Sequence, residues 1–296
     1  MGSVVISHPE KVLFPDDGIT KGELAAYYGA IAPLMLPHLR GRPVTMERFH
    51  KGIGEEGFFQ KSLAKGAPDW LPIAEVPKKG GTVKHPLIND ERSLQWLANQ
   101  NCITPHVWVS RVPNLYQPDL CVFDLDPLED DANVLRGAAL ALRDLLTELG
   151  LTSWIKTTGS KGFHIAVPLD GTSDAGEVST FSSVVGRILV EQKPKELTLE
   201  FSKVDREGRI YVDTGRNHPP ATFAVAYAVR ARPGAPISAP CTWEEVEQGK
   251  VGPATFTLRS MAKRVENVGD LWAGLLQDGV SLRPAIKKLE TMIRKD

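Results

Sequence analysis

An apolar run followed by a long amphipathic segment constrains the fold of this chain more than any other feature. Residues 120–125 are apolar apart from a single acid, which predicts a buried strand. Residues 131–149 repeat apolar positions at helical spacing, and Gly150 follows where a helix would end. The order of strand then helix predicts an α/β (α+β) fold, in which a central mixed or antiparallel sheet is covered by helices.

The same patterns predict further elements on both sides of this unit. Thr20 and Glu23 form a capping-box pattern, so we expect a helix to begin there. The other expected helices cover residues 93–101, 176–192 and 285–295, and the other expected strands cover 153–157, 163–169, 197–201, 209–213 and 223–232. A turn at Glu207–Gly208 favours a hairpin between the strands at 197–201 and 209–213.

No repeat or low-complexity tract interrupts the chain, so we expect one domain over residues 1–296. Within it we distinguish three parts. They are an N-terminal accessory subregion (1–118), a core (119–240) and a C-terminal helical segment (241–296).

Composition restricts the possible classes of protein. The chain has 42% hydrophobic and 24% charged residues, which is typical of a globular protein. No apolar run approaches the ~20 residues that cross a bilayer, and no signal-peptide pattern opens the chain, so we expect a cytoplasmic protein. The three cysteines form no CxxC pair, which argues against a zinc site. With 35 basic and 36 acidic residues, total charge does not indicate a nucleic-acid partner.

Two carboxylates stand two residues apart in the apolar strand, at Asp124 and Asp126. Side chains alternate faces along a strand, so both acids project from one face while Phe123 and Leu125 project from the other. This spacing allows both carboxylates to converge on metal ions of the kind that promote phosphoryl transfer. The alternative is a strand end at which both acids point to solvent, or an Asp-Pro turn that begins at Asp126.

A third carboxylate, Asp213, ends another apolar strand. If the two strands are neighbours in the sheet, the three acids form the oxygen-rich site that Mg²⁺ or Mn²⁺ prefers. Taken alone, an acid at the end of a strand is more often a surface residue.

Residues 157–164 (TTGSKGFH) combine two predicted strands with a turn of small residues. Backbone N–H groups in such a turn can approach phosphate oxygens, and Lys161 and His164 can supply positive charge to a triphosphate. The segment is not a Walker P-loop, because GxxxxGK[ST] is absent. A plain hairpin turn with a structural histidine is the alternative.

These motifs occur in an order that resembles the archaeo-eukaryotic primase superfamily, and the resemblance is closest to the polymerase domain of bacterial DNA-repair ligase D. The order is DxD at 124–126, then GSKGxH at 159–164, a strand ending at Asp213, and YAVR at 227–230. EKVLFP at 10–15, FFQK at 58–61 and WLA at 96–98 extend the match to almost the whole chain.

The resemblance implies a primase-polymerase fold and a nucleotidyltransferase that extends primer 3′ ends at gaps or double-strand breaks, using Mn²⁺ or Mg²⁺ in a two-metal site and preferring ribonucleotides. It implies roles for residues in two groups. The catalytic metal ligands would be Asp124, Asp126 and Asp213. The nucleotide contacts would be Thr158, Ser160, Lys161, His164 and Arg230.

The resemblance also implies contacts with DNA. Lys11 and Lys21 would recognise a 5′-phosphate at a break, and Phe58 and Phe59 would stack on template bases. Because adjacent residues of an extended chain face opposite ways, we expect one phenylalanine to be buried and the other exposed. Arg206 maps to a loop that brings two DNA ends together in the family.

The sequence departs from the family after Asp213, where a lysine is missing near Ala221. We hypothesise that Arg216 replaces its charge. The implied partners are nucleotides (NTP or dNTP), DNA with a 5′-phosphate, Ku and a separate ligase, and DNA binding would place the protein at the nucleoid. Two other functions stay open, namely a non-catalytic DNA-end-binding module and a phosphatase of the haloacid-dehalogenase type.

Overall fold

The computed structural model describes residues 4–63, 66–129 and 131–294. The helices within these ranges are α1 (Lys21–Leu39), α2 (Glu91–Asn99), α3 (Ala132–Glu148), α4 (Ala175–Gln192), α5 (Trp243–Glu247), α6 (Met261–Val268) and α7 (Arg283–Ile293). The strands are β1 (Val12–Phe14), β2 (Ile19–Thr20), β3 (Val44–Arg48), β4 (Phe58–Gln60), β5 (Ile73–Lys78), β6 (Gly81–Pro86), β7 (Cys102–Val107), β8 (Leu120–Asp126), β9 (Trp154–Thr157), β10 (Phe163–Pro168), β11 (Leu197–Thr198), β12 (Ile210–Asp213), β13 (Phe223–Ala224) and β14 (Pro240–Cys241).

The chain forms two compact units, each built from separate stretches of sequence. The first unit combines the described residues of Met1–Pro113 with Thr222–Ala239 and Ala254–Asp270. The second combines the described residues of Asn114–Ala221, Pro240–Pro253 and Leu271–Asp296.

The first unit is organised around a four-stranded antiparallel sheet of order β13-β7-β3-β4. Helix α1 begins at the predicted capping box, since Thr20 Oγ1 accepts the Glu23 N–H and the Glu23 carboxylate accepts the Thr20 N–H. Helices α1 and α2 pack together, and two two-stranded sheets, β1-β2 and β5-β6, complete the unit. The two capping hydrogen bonds confirm the predicted start of α1.

The second unit contains a six-stranded sheet of order β11-β12-β8-β10-β9-β14. Its pairings are antiparallel except between β11 and β12, so the sheet is mixed, as predicted. Helix α3 begins at Asp131, whose side chain accepts the N–H groups of Asn133 and Val134, and the chain leaves the helix at Gly150 with φ 85°. Helices α3 and α4 pack against this sheet, which confirms the predicted layer of helices.

The predicted hairpin between residues 197–201 and 209–213 is wrong. Strands β11 and β12 are parallel neighbours. The turn at Glu207–Gly208 exists, with positive φ at both residues, but it lies inside a connection of eleven residues, 199–209. That connection returns the chain to the end at which β11 began, so the two strands run in the same direction.

The predicted strand over 223–232 is also wrong beyond its first two residues. Only Phe223–Ala224 pairs within a sheet. Tyr227 adopts φ 68°, a left-handed conformation that ends an extended run.

The final predicted helix is confirmed over Arg283–Ile293, and Lys295, also included in that prediction, lies outside the described residues. No described helix is long and apolar enough to cross a membrane.

Candidate active site

Four ionisable side chains form one row across the sheet of the second unit. Lys156 on β9 is the direct partner of His164 on β10, and His164 is the partner of Asp124 on β8. Asp124 is in turn the partner of Asp213 on β12. Directly opposed residues project from the same face of a sheet, so these four side chains are consecutive neighbours on one face. We call this set the ionisable row.

Asp126 lies two residues beyond Asp124 on β8 and therefore on the same face, opposite Tyr211 of β12. Phe123 and Leu125 point the other way and are fully buried. The structure thus confirms that the strands of Asp124 and Asp213 are neighbours. It also separates the three acids by exposure, since their side chains are 13% (Asp124), 9% (Asp213) and 43% (Asp126) exposed.

Burial and nearby charge act differently on the two inner acids. Burial alone would raise the pKa of Asp124, but its contact with His164 and the charges of Arg216 and Lys156 hold the pKa well below its usual range. The pKa of Asp213 is raised, chiefly by burial and further by the charge of Asp124, and Arg216 offsets this only in part. The two carboxylates share the positive charge of one arginine, because Arg216 contacts both.

Two arginines approach the acidic face. Arg216 lies in a 3₁₀ turn (Gly215–Asn217) just after β12, and its Nη2 is 2.8 Å from Asp213 Oδ2 while its Nε is 3.5 Å from Asp124 Oδ2. Arg206 Nη1 is 3.0 Å from Asp126 Oδ2. Arg216 therefore contacts both inner acids.

Arg206 does not project as an exposed DNA-contacting side chain. It is 3% exposed, and besides Asp126 it donates to the carbonyl oxygens of Glu200 and Phe201. Its guanidinium lies 4.6 Å from the centre of the Tyr211 ring. These contacts tie the 199–209 connection to the acidic face, because a planar guanidinium can donate to several acceptors at once.

The turn between β9 and β10 is closed by Thr158. Its Oγ1 accepts the N–H groups of Ser160 and Gly162, both at 3.1 Å. A side chain at position 162 would lie 1.6 Å from the carbonyl oxygen of Leu125, so only glycine fits there. Ser160 is half-buried and Lys161 is exposed, and the Lys161 ammonium donates to the Leu128 carbonyl at 2.7 Å. The turn therefore presents Ser160 and Lys161 beside the strand that carries the acids.

The predicted DNA-contacting lysines lie in the first unit. Lys11 donates to the carbonyl of His50, and Lys21 donates to the backbone and hydroxyl oxygens of Ser7. Lys21 is only 3% exposed. Burial, followed by the positive charges of Lys11 and Arg48, lowers its pKa. Three cations therefore lie close enough to influence one another.

The expectation that one of Phe58 and Phe59 is buried is wrong, because they are 40% and 61% exposed. Both lie on β4, a three-residue strand at the edge of its sheet, and successive strand residues face opposite ways, so neither face of β4 is fully covered. Phe58 contacts the His50 ring, with 5.0 Å between centroids, and Phe59 meets His106 edge-on at 5.3 Å. The Arg48 guanidinium lies over the Phe58 ring, 5.6 Å from its centre, and Phe59 is the more exposed of the two rings.

A polar cluster near Arg230 escaped the sequence analysis. Glu47 Oε2 lies 3.2 Å from His106 Nε2. Burial would raise the pKa of Glu47, but His106 and the charge of Arg230 lower it. Thr104 Oγ1 donates to the Val229 carbonyl and so fixes the residue before Arg230. The available signal was alternation along β3 and β7, which shows that Glu47 and His106 share their strands with apolar residues but not that the strands are neighbours.

The donor chemistry of the acidic face suits a hard divalent cation. Carboxylate oxygens are the ligands that Mg²⁺ and Mn²⁺ prefer, and Asp124, Asp126 and Asp213 lie on adjacent strands of one face. Among the residues that the structure describes, no three acidic, histidine or cysteine side chains already converge in coordinating geometry. Arg216 and Arg206 instead neutralise these carboxylates, so a cation would compete with both arginines.

Comparison with known proteins agrees with the fold. The sequence profile of the family described as "LigD, primase-polymerase domain" matches residues 20–272. The Multifunctional non-homologous end joining protein LigD of Mycolicibacterium smegmatis is 35% identical over 97% of this chain and 37% of its own length. The protein of the same name from Pseudomonas aeruginosa is 36% identical over 91% of this chain and 32% of its own length.

Among solved structures, the polymerase domain of Mycobacterium tuberculosis ligase D in complex with DNA superposes with a TM-score of 0.87 at 32% identity. The match covers 94% of this chain and all of that domain. The fold is therefore that of a primase-polymerase, a class of metal-dependent nucleotidyltransferases. Within that class, the chain belongs to the LigD primase-polymerase domain family. It spans about a third of the length of the two LigD proteins.

Proposed function

We propose that this protein is a DNA-dependent nucleotidyltransferase that extends primer 3′ ends at gaps or double-strand breaks during repair, with a preference for ribonucleotides. The observation that carries this proposal is the set of three aspartates on one face of two adjacent strands, in a chain of the LigD polymerase family. Neither an end-binding module nor a phosphatase accounts for both the family and this acidic face.

Asp124, Asp126 and Asp213 would hold two Mn²⁺ or Mg²⁺ ions. Bound there, the ions would lower the pKa of the primer 3′-hydroxyl and neutralise the charge that develops on the departing pyrophosphate. The 3′-oxygen attacks the α-phosphorus, one P–O bond forms, the α–β P–O bond breaks, and pyrophosphate and a proton are released.

The other residues of the site would position the nucleotide. Lys161 and Ser160 face the triphosphate from the β9–β10 turn, which Thr158 holds closed. Arg216 supplies the charge of the missing lysine, and His164 and Arg230 contact the phosphates or the sugar. Each of these roles uses a hydrogen-bond donor, which a triphosphate with many acceptor oxygens requires.

DNA recognition would depend on the first unit. The cationic group of Lys11, Lys21 and Arg48 is suited to a 5′-phosphate, and exposed Phe58 and Phe59 are suited to stacking on template bases. Arg206 would assist the joining of two ends by holding the 199–209 connection in place. We further propose that residues 1–296 act as one primase-polymerase domain, with DNA contacts in 1–118, the catalytic core in 119–240 and a helical segment in 241–296.

The relatives are named for non-homologous end joining. We therefore propose that Ku and a separate ligase act on the same DNA ends, and that DNA binding brings the protein to the nucleoid. A filled gap still contains a nick, so a ligase activity must follow.

The proposed function can be tested by extension of a labelled primer across a short gap. Matched substrates would carry a 5′-phosphate or a 5′-hydroxyl at the far side, with ribo- or deoxynucleotides and with Mn²⁺ or Mg²⁺. We expect metal-dependent extension that is favoured by the 5′-phosphate and by ribonucleotides. Lys11→Met should abolish the preference for the 5′-phosphate. Gap binding without any extension under these conditions would instead support an end-binding module.

A further inference from the structure

The ionisable row ends in a lysine whose position the proposed function does not explain. Lys156 is fully buried on β9, between β10 and β14 of the catalytic sheet. Burying a lysine costs several kcal/mol unless a partner compensates, so an apolar side chain would serve the fold of β9 better. Buried ionisable groups beside catalytic residues are often retained for the chemistry of the site.

Lys156 makes a close contact with one nitrogen of His164. Its Nζ is 2.7 Å from His164 Nδ1, and the other ring nitrogen, Nε2, is 3.4 Å from Asp124 Oδ1. Antiparallel pairing fixes this order, because Lys156 and Asp124 are the direct partners of His164 on its two sides. The imidazole is therefore held between a group that donates and a group that accepts.

Hydrogen-bond chemistry selects one form of the ring. A lysine ammonium has three donors and no acceptor, so the nitrogen facing it must present a lone pair. An ionised carboxylate only accepts, so the nitrogen facing Asp124 must carry the proton. The geometry points to Lys156 as a positioning residue that fixes His164 in the Nε2-protonated tautomer. Its N–H then faces Asp124 and the nucleotide site. This inference rests on the proposed function for its catalytic consequence, but not for the tautomer itself.

As a consequence, the two carboxylate oxygens of Asp124 face different groups. Nε2–H of His164 faces Oδ1 of Asp124, whereas Oδ2 faces Arg216, so a cation at Oδ2 would compete with the arginine and not with His164. Groups that orient the ligands of a metal in this way typically change affinity or activity by 10–100-fold when they are removed. Lys156 would act one step further out, through the tautomer of His164.

Nitrogen-15 NMR of the histidine rings tests the tautomer directly in the wild-type protein. The His164 signals would be assigned by their loss in His164→Gln. We expect Nδ1 to resonate as an unprotonated nitrogen and Nε2 as a protonated one. A ring protonated at Nδ1 would overturn the inference, whether or not the protein extends primers. A correct tautomer in a protein without polymerase activity would instead count against the proposed function alone.

Variants then test whether the tautomer matters for nucleotidyl transfer. Lys156→Met removes the donor while keeping a long side chain, and we expect its kcat to fall about 10–100-fold. Lys156→Gln keeps a donor and should recover part of that loss. Lys287→Met, which removes an exposed lysine from α7, is the matched control and should change nothing.

A double-mutant cycle separates positioning from a general structural role. If Lys156 acts through His164, adding Lys156→Met to His164→Gln should cost less than twofold more. A full additional loss in the double variant would contradict the inference. Should Lys156→Met fail to fold, Lys156→Gln enters the same cycle and the wild-type tautomer remains decisive.

Discussion

At the scale of single residues, Arg216 connects the two inner acids of the site. Its guanidinium contacts both Asp124 and Asp213, and their charges raise its own pKa although burial opposes that shift. A cation held by both carboxylates would have to displace these contacts at least in part. The displaced guanidinium would then turn toward a triphosphate, which presents the same kind of acceptor oxygen.

We expect Arg216→Ala to weaken nucleotide binding about 10–150-fold, because a charge-assisted hydrogen bond contributes about 1.5–3 kcal/mol. Titration of a nucleotide into the protein–DNA complex measures the change. Arg187→Ala, on the exposed side of α4, is the matched control. Unchanged nucleotide affinity in Arg216→Ala would rule out the replacement of the missing lysine.

The sequence alone predicted the sheet face of a side chain where the alternation within a single strand was sufficient. Asp124 and Asp126 share a face because the period of a strand is two, and no other part of the chain is needed for that conclusion. Lys156 gave no such signal, because its neighbour His164 is set by strand pairing. The exposure of both Phe58 and Phe59 depends on β4 being an edge strand, which the local sequence does not reveal.

At the scale of elements, the 199–209 connection is the segment whose structure the sequence pattern predicted wrongly. Apolar residues near both ends and a turn signal suggested a hairpin, whereas Leu199, Phe201 and Val204 are exposed and β11 and β12 are parallel. Arg206 donates hydrogen bonds to the carbonyl groups of two residues of this connection and forms an ion pair with Asp126. Such a long-range contact cannot be inferred from periodicity.

Replacement of Arg206 by Met should loosen this connection. We expect a loss of about 1–3 kcal/mol in the free energy of unfolding, because the hydrogen bonds of a buried guanidinium, one of them to a carboxylate, are removed. Amide hydrogen exchange across residues 199–205 should become faster. Lys203→Met changes an exposed residue of the same connection and serves as the control. Identical exchange in the two variants would show that Arg206 does not hold the segment.

His85 on β6 gives the first unit a pH-dependent term in its stability. Burial lowers the pKa of His85, opposed by its hydrogen bond to the Val44 carbonyl at 3.2 Å. The unfolded chain therefore binds a proton more readily than the folded one. Stability should be fully present above the unfolded pKa of about 6.5 and should decrease as pH falls from there toward the lowered folded value.

Denaturant unfolding of wild type and His85→Gln between pH 7.5 and 5 tests this term. We expect the wild type to lose more stability than the variant over that range, since the variant cannot titrate at this position. His8→Gln, at an exposed position, should follow the wild-type curve. Parallel curves for wild type and His85→Gln would contradict a lowered pKa for His85.

At the scale of the whole molecule, the fold class and the family followed from the sequence, but the division into units did not. Each unit is assembled from three separate stretches, and residues 222–239 and 254–270 belong with the N-terminal part. A division made along the sequence assigns neighbouring residues to one region, so our predicted core grouped residues 222–239 with the acids. The balanced total charge likewise conceals the cationic group of Lys11, Lys21 and Arg48.

The central claim is that three aspartates on one sheet face make this protein a metal-dependent polymerase. The most direct test is primer extension by Asp213→Asn in Mn²⁺, with Asp278→Asn at an exposed position as the control. We expect Asp213→Asn to keep its fold and its DNA binding and to lose extension by roughly 100-fold or more, as when one preorganised charge-stabilising group is removed. Extension by Asp213→Asn at the wild-type rate would contradict the account.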